Sequence, residues 1–199
     1  MSSASPKGDS MTSAVLTQRV AGQSKLAALI LVVAAAAVTA AAAQWRIPLP
    51  FTPVPITGQT FAVLLAGAAL GPALGAASQL LYVAMGGVGM PVFAGGTGGV
   101  EVVRGATAGY LAGFIVAAWL VGNLAQRGQD RTFATMFTSF FAGTAVIYVF
   151  GVAGLMAVAG LDATEAVAQG VVPFVVGDVI KATAAGLVLP SAWRLSRNH

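Results

Sequence analysis

The sequence predicts an all-α membrane protein, a bundle of six transmembrane helices with both termini in the cytoplasm. Three observations carry this expectation. Of 199 residues, 57% are hydrophobic and 8% charged, with a mean hydropathy of +0.86, so the chain cannot cover itself with a water-compatible surface. The charges are also unevenly spaced: no Asp, Glu, Lys or Arg occurs from Ile47 to Val100, a stretch of 54 residues. Finally, Lys and Arg gather at alternate ends of the apolar runs.

Residues 1–24 are rich in Ser, Thr and Gly and lack a helical apolar period, so they read as a mobile polar tail ahead of a single membrane domain at 25–195. Leu26 to Ala43 gives 18 residues without a charge, preceded by Arg19 and Lys25, enough for a first span. A signal peptide competes, because Ala41 and Ala43 resemble a cleavage site, but the apolar run exceeds a signal peptide's apolar core. Pro48, Pro50, Pro53 and Pro55 then forbid a helix, and Trp45 stands where an interfacial anchor belongs. Gly71-Pro72 divides the next apolar stretch into short helices from about Gln59 to Leu70 and from about Ala73 to Met85. Seven glycines between Gly86 and Gly99 demand a sharply bending loop, closed by Glu101 and Arg104. Further spans are expected from about Thr107 to Leu124, Thr132 to Val158 and Val167 to Trp193.

With the N-terminus inside, Lys7, Arg19, Lys25, Arg127, Arg131, Arg194 and Arg197 fall in the cytoplasm, while Asp162 and Glu165 fall outside. Arg46 and Arg104 are exceptions on the outer side, and for Arg104 ligand binding is one reason. The net charge of +4 is therefore topological and does not point to nucleic acid. The glycines at 67, 71 and 75, and those at 109 and 113, recur every four residues, which allows helices to approach closely in lipid. Ala34 to Ala37 and Ala40 to Ala43 make the first helix smooth, suiting a partner protein as well as its own bundle.

Function is bounded first by exclusion. The chain has no Cys, and its one His is the terminal His199, so neither a thiolate or histidine-based metal site nor Ser-His catalysis has an internal ligand. Gly95-Gly96-Thr97-Gly98-Gly99 lacks the Lys and Ser/Thr of a phosphate loop, which leaves no nucleotide site. What remains is a set of polar groups in or beside lipid. Asp178 and Lys181, three apart in the apolar run Val171 to Pro190, lie on one helix face and neutralise each other in part. They act either as internal glue or as the lining of a ligand route. Thr57, Gln59, Tyr82, Thr97, Arg104, Tyr110, Asn123 and Tyr148 add donors and acceptors, and Phe93 an apolar cover; Tyr82 and Tyr110 also read as interfacial anchors. Such a set suits a small amphipathic ligand.

The run Ile47 to Phe61, IPLPFTPVPITGQTF, resembles the signature of the BioY family, the biotin-specific substrate-binding (S) components of energy-coupling factor (ECF) transporters. Leu81-Tyr82 with Gly86, Gly89-Met-Pro-Val-Phe-Ala-Gly95, Gly109-Tyr-Leu-Ala-Gly-Phe114 and Val172-Pro-Phe-Val-Val-Gly-Asp-Val-Ile-Lys181 follow in the family's order. The resemblance implies six helices in a bacterial cytoplasmic membrane and an outward-open biotin pocket capped by the loops after helices one and three. It implies as partners a transmembrane T subunit and two ATP-binding subunits that energise uptake, with no cofactor. It carries biotin binding onto Asp178 and Lys181 and a ligand contact onto Arg104. Gly105 to Tyr110 departs from the family's GPTGGY, having Ala106 and Ala108 in place of Pro and Gly. Ala35, Ala36 and Ala40 are the expected contacts with the T subunit. Which cation meets the biotin carboxylate and which the ureido ring stays open. Two alternatives keep the architecture or the residue: a site for another vitamin, and a solitary ion-coupled carrier using Asp178.

Overall fold

Charge-free apolar runs become helices because in lipid a helix satisfies every backbone group within its own segment. The computed structural model describes residues 24–196, with side chains as far as residue 188. The expected polar tail, apart from Ser24, lies outside the described residues. Ten elements follow in order: α1 (Lys25–Gln44), β1 (Arg46–Ile47), β2 (Ile56–Thr57), α2 (Gln59–Leu70), α3 (Pro72–Gly87), α4 (Val100–Val103), α5 (Ala108–Gln126), α6 (Phe133–Ala159), α7 (Ala163–Gly170) and α8 (Val175–Ser196). By length and composition α1, α5 and α6 can each cross a membrane, and α7 with α8, bent by 50°, makes a fourth crossing if counted as one.

Local chemistry sets the boundaries. Gly71 ends α2 at φ 81°, a value open to glycine, and Pro72 opens α3 at its first turn. Thr132 and Thr135 form a capping box at the start of α6, and Asp162 and Glu165 form another at the start of α7. The sixth expected helix, 167–193, differs in the structure. The chain breaks after Gly170, because Pro173 cannot take a place in a continuous helix, and α7 begins earlier than expected, at its acidic cap.

The core sits on α5, which packs against α6, α2 and α3. Ala117, Ala118 and Val121 of α5 are fully buried. The small-residue spacing does what it predicts: Gly67 lies against the backbone of Ala118, and Gly109 against Phe150 and Gly154. Large apolar side chains face outward instead, among them Leu29 and Ile30 on α1, Phe141 and Val149 on α6, and Val176 and Ile180 on α8. That is the surface lipid wants.

Helix α1 packs on α3 and α2 through Ala36, Thr39 and Ala43, all fully buried, and Gln79 Nε2 donates to Thr39 Oγ1 at 3.3 Å. Ala36, expected on a partner-facing surface, therefore points into its own bundle. Ala35 and Ala40 are half-buried, and the alanines exposed on α1 are Ala34, Ala37 and Ala41. One residue turns a helix by about 100°, so a run of alanines hides which of them faces out.

Candidate binding site

Four prolines keep residues 48–55 out of a helix, and the pairing of Arg46 with Thr57 and Ile47 with Ile56 folds that segment back on itself. Gly58 N–H donates to Ala42 O, tying the returning strand to the end of α1, and Thr52 Oγ1 donates to Gln169 O at 2.9 Å, tying the loop to α7. A second loop, 88–99, turns at Phe93, whose N–H donates to Thr97 O at 2.9 Å. The Phe93 ring, 2% exposed, meets Tyr82 edge-on at 5.4 Å and rests on Gly86, where a Cβ would lie 2.0 Å from a ring atom. Gly86 is thus a seat for the ring. The two loops touch: Gln44 Nε2 donates to Phe93 O at 3.3 Å, and the Arg46 guanidinium lies across Gly95.

Beneath them is a cavity of about 260 Å³. Val54, Phe93, Leu111, Phe114, Ile147 and Phe174 supply apolar walls, and Arg46 is the cation beside the loops. At its polar end stand Thr60 of α2, Tyr148 of α6 and Asp178 with Lys181 of α8. Lys181 Nζ donates to Asp178 Oδ1 at 2.8 Å and to Thr60 Oγ1 at 2.7 Å, and Thr60 Oγ1 donates on to Asp178 Oδ1 at 3.2 Å. Tyr148 donates to Asp178 Oδ2. Asp178 is 8% exposed and the Lys181 side chain 21%, so this ion pair is sheltered and its charge-assisted bonds are stronger than those of a surface pair. A carboxylate has about four acceptor positions and an ammonium three donors. By this count one acceptor position on Oδ2 and one N–H of Lys181 are left for a ligand.

Gln59, Phe93, Thr97, Tyr110, Asp178 and Lys181 all line this cavity. Gln59 is held by two bonds: its Oε1 accepts from Thr57 Oγ1 at 2.9 Å, and its Nε2 donates to Tyr82 Oη at 2.7 Å. Tyr82 is fully buried behind the wall and donates to Val92 O at 3.2 Å, so it supports Gln59 and the second loop from outside the cavity. Tyr110 Oη donates to Gly170 O at 2.7 Å, capping a carbonyl freed where α7 ends. Arg104 is exposed at the end of α4 and is not part of the wall. The arginine that borders the cavity is Arg46, expected like Arg104 to be an exception to the charge rule. Thr60 joins the site unexpectedly, and Tyr148, one of the expected polar groups in or beside lipid, reaches Asp178 across 30 positions, as Thr60 does across 118. Among the described residues no cluster of His, Cys, Asp or Glu could hold a metal ion. The arrangement suits non-covalent capture: a small donor–acceptor group at the polar end, apolar atoms along the walls and an anion at the loops.

Comparison with known proteins agrees with this architecture. The model of the BioY family matches residues 12–198. The biotin transporter BioY of Rhizobium etli is 39% identical over 149 residues, covering 71% of this chain and 79% of that protein. Its counterpart in Thermotoga maritima is 41% identical over 142 residues, covering 71% of this chain and 82% of that protein. Among solved structures, the crystal structure of the S-component for biotin from an ECF-type ABC transporter superposes with a TM-score of 0.76 at 24% identity, covering 85% of this chain and 92% of the other. A family model spanning nearly the whole sequence, relatives matched over most of their length and a shared fold lead to one conclusion: the chain belongs to the BioY family.

Proposed function

We propose that this chain captures biotin at the outer face of a bacterial cytoplasmic membrane, as the substrate-binding component of an ECF-type transporter. One membrane domain, residues 25–195, crosses the bilayer six times with both termini in the cytoplasm, and α2 and α3 count as crossings completed by their flanking loops. Uptake is energised by ATP hydrolysis in partner subunits, reached through a T subunit that packs on the exposed alanines Ala34, Ala37 and Ala41 of α1. The chain itself recognises and does not catalyse, and it needs no cofactor.

One observation supports this reading above the others: the hydrogen-bonded Asp178–Lys181 pair, with bonding capacity left on both partners, lines one end of an apolar-walled cavity that Arg46 also lines beside the loops. Biotin has a matching layout. Its ureido ring offers N–H and C=O side by side, its thiophane ring is apolar and its valerate ends in a carboxylate. The ureido edge goes to Asp178 and Lys181, the rings and alkyl chain lie against Phe93, Phe114 and Phe174, and the carboxylate meets Arg46. Thr97, Gln59 and Tyr110 complete the wall. Equilibrium binding of biotin, thiamine and riboflavin to the purified full chain tests the assignment. Biotin alone is expected to bind at nanomolar to low micromolar concentration, and tighter binding of either other vitamin would refute it.

A further inference from the structure

We infer that Tyr148 is a positioning residue for recognition: its O–H, donated to Asp178 Oδ2, aims the carboxylate so that the adjacent acceptor and ammonium match the N–H and C=O edge of a cyclic urea. This rests on the biotin reading above. Asp178 is gripped from three helices. Thr60 of α2 and Lys181 of α8 hold Oδ1, and Tyr148 of α6 holds Oδ2. Rotation of a carboxylate about its terminal torsion is soft, so hydrogen bonds and not rotamer preference set its plane. Without Tyr148 the Lys181 ammonium, already 2.8 Å from Oδ1, would be free to draw both oxygens toward itself and take up the acceptor that the ligand needs. Among the described residues the Tyr148 hydroxyl makes no other hydrogen bond, so its polar end serves this contact while its ring lines the cavity.

A residue that only filled space would affect every ligand alike, whereas one that aims an acceptor controls which ligand fits. The test uses Tyr148→Phe, which keeps the ring and removes the hydroxyl, with biotin and 2-iminobiotin as probes. The latter replaces the urea by a cyclic guanidine, protonated at neutral pH, with donors only. In the unaltered chain the guanidinium presents an N–H to the Lys181 ammonium and binds poorly. In Tyr148→Phe the guanidinium, which never made the matched donor and acceptor contacts, has little to lose. Biotin affinity is expected to fall about tenfold or more, the size of one charge-assisted bond, while 2-iminobiotin affinity falls less than about threefold, so the preference for biotin shrinks. Proportional weakening of both ligands, unchanged binding of both, or a variant too unstable to purify would each overturn this role, since aiming one carboxylate is not needed to hold the bundle. Failure of the unaltered chain to bind biotin would instead refute the assignment of function itself.

Discussion

Asp178 and Lys181 lie in one hydrogen-bonded unit, and a double-mutant cycle of Asp178→Asn and Lys181→Met measures that unity through biotin affinity. The two single changes are not equivalent. In Lys181→Met the Asp178 carboxylate, 8% exposed, keeps Thr60 and Tyr148 as donors but loses its cation, 2.8 Å away. In Asp178→Asn the ammonium keeps Thr60 at 2.7 Å, and at 21% exposure it reaches the water of the cavity more readily. Each change also removes one charge-assisted contact with the ligand, about 1.5–3 kcal/mol. Asp178→Asn is therefore expected to weaken biotin binding by about 2 kcal/mol, near thirtyfold, and Lys181→Met by about 3 kcal/mol, above a hundredfold.

The double variant has no stranded charge, so its loss is expected to stay near 3 kcal/mol instead of reaching the sum of about 5, a coupling of about 2 kcal/mol. Titration calorimetry on the four purified proteins reads this out, with thermal unfolding to verify that each is folded. Additivity to within about 0.5 kcal/mol would show that the residues act independently and would sink the picture of a shared polar end. So would an Asp178→Asn loss larger than that of Lys181→Met.

Further outcomes follow from the loops and from α1. Arg46→Ala is expected to lower biotin affinity about fivefold while leaving the affinity for biotin methyl ester unchanged, since an exposed guanidinium contributes about 1 kcal/mol to an anion. Arg104→Ala, off the cavity wall, should alter neither ligand, and the opposite result would restore Arg104 as the anion partner. Ala37→Leu on the exposed face should abolish co-purification with the T subunit and spare biotin binding. Ala36→Leu, at a fully buried position, should destabilise the bundle by about 1–3 kcal/mol, and equal behaviour of the two variants in a thermal shift assay would refute the assigned face.

The helices were legible because lipid reduces their prediction to counting apolar residues between charges. The Gly71-Pro72 break and the Asp178–Lys181 pair were legible for the same kind of reason, since both are local. The break at residues 171–174 was not: Val171, Val172 and Phe174 keep the run apolar, and hydropathy masked Gly170 and Pro173. Tyr110 makes that break tolerable by capping Gly170 O, and such a bond between distant positions has no local signature. The same limit applies to Thr60 and Tyr148. That Arg46 borders the cavity and Arg104 does not is a consequence of loop closure. Both arginines flank apolar runs, and the β1–β2 pairing brings Arg46 over Gly95.

The polar end also bears on how affinity and selectivity divide. A lone charge inside a membrane is expensive, but here the carboxylate already has its cation and three of its four acceptor positions filled before any ligand arrives. The polar end can wait without a ligand, and a ligand that mismatches it strands an ammonium hydrogen or a carboxylate lone pair. Its net contribution to affinity is small while its penalty for the wrong ring is large. Affinity must then come mainly from the apolar walls and from the loops that close over them. Those loops are fastened at their edges, by Thr52 to Gln169 and by Gln44 to Phe93, rather than to the polar end itself. Opening them would therefore break neither the Asp178–Lys181 pair nor the Tyr148 bond.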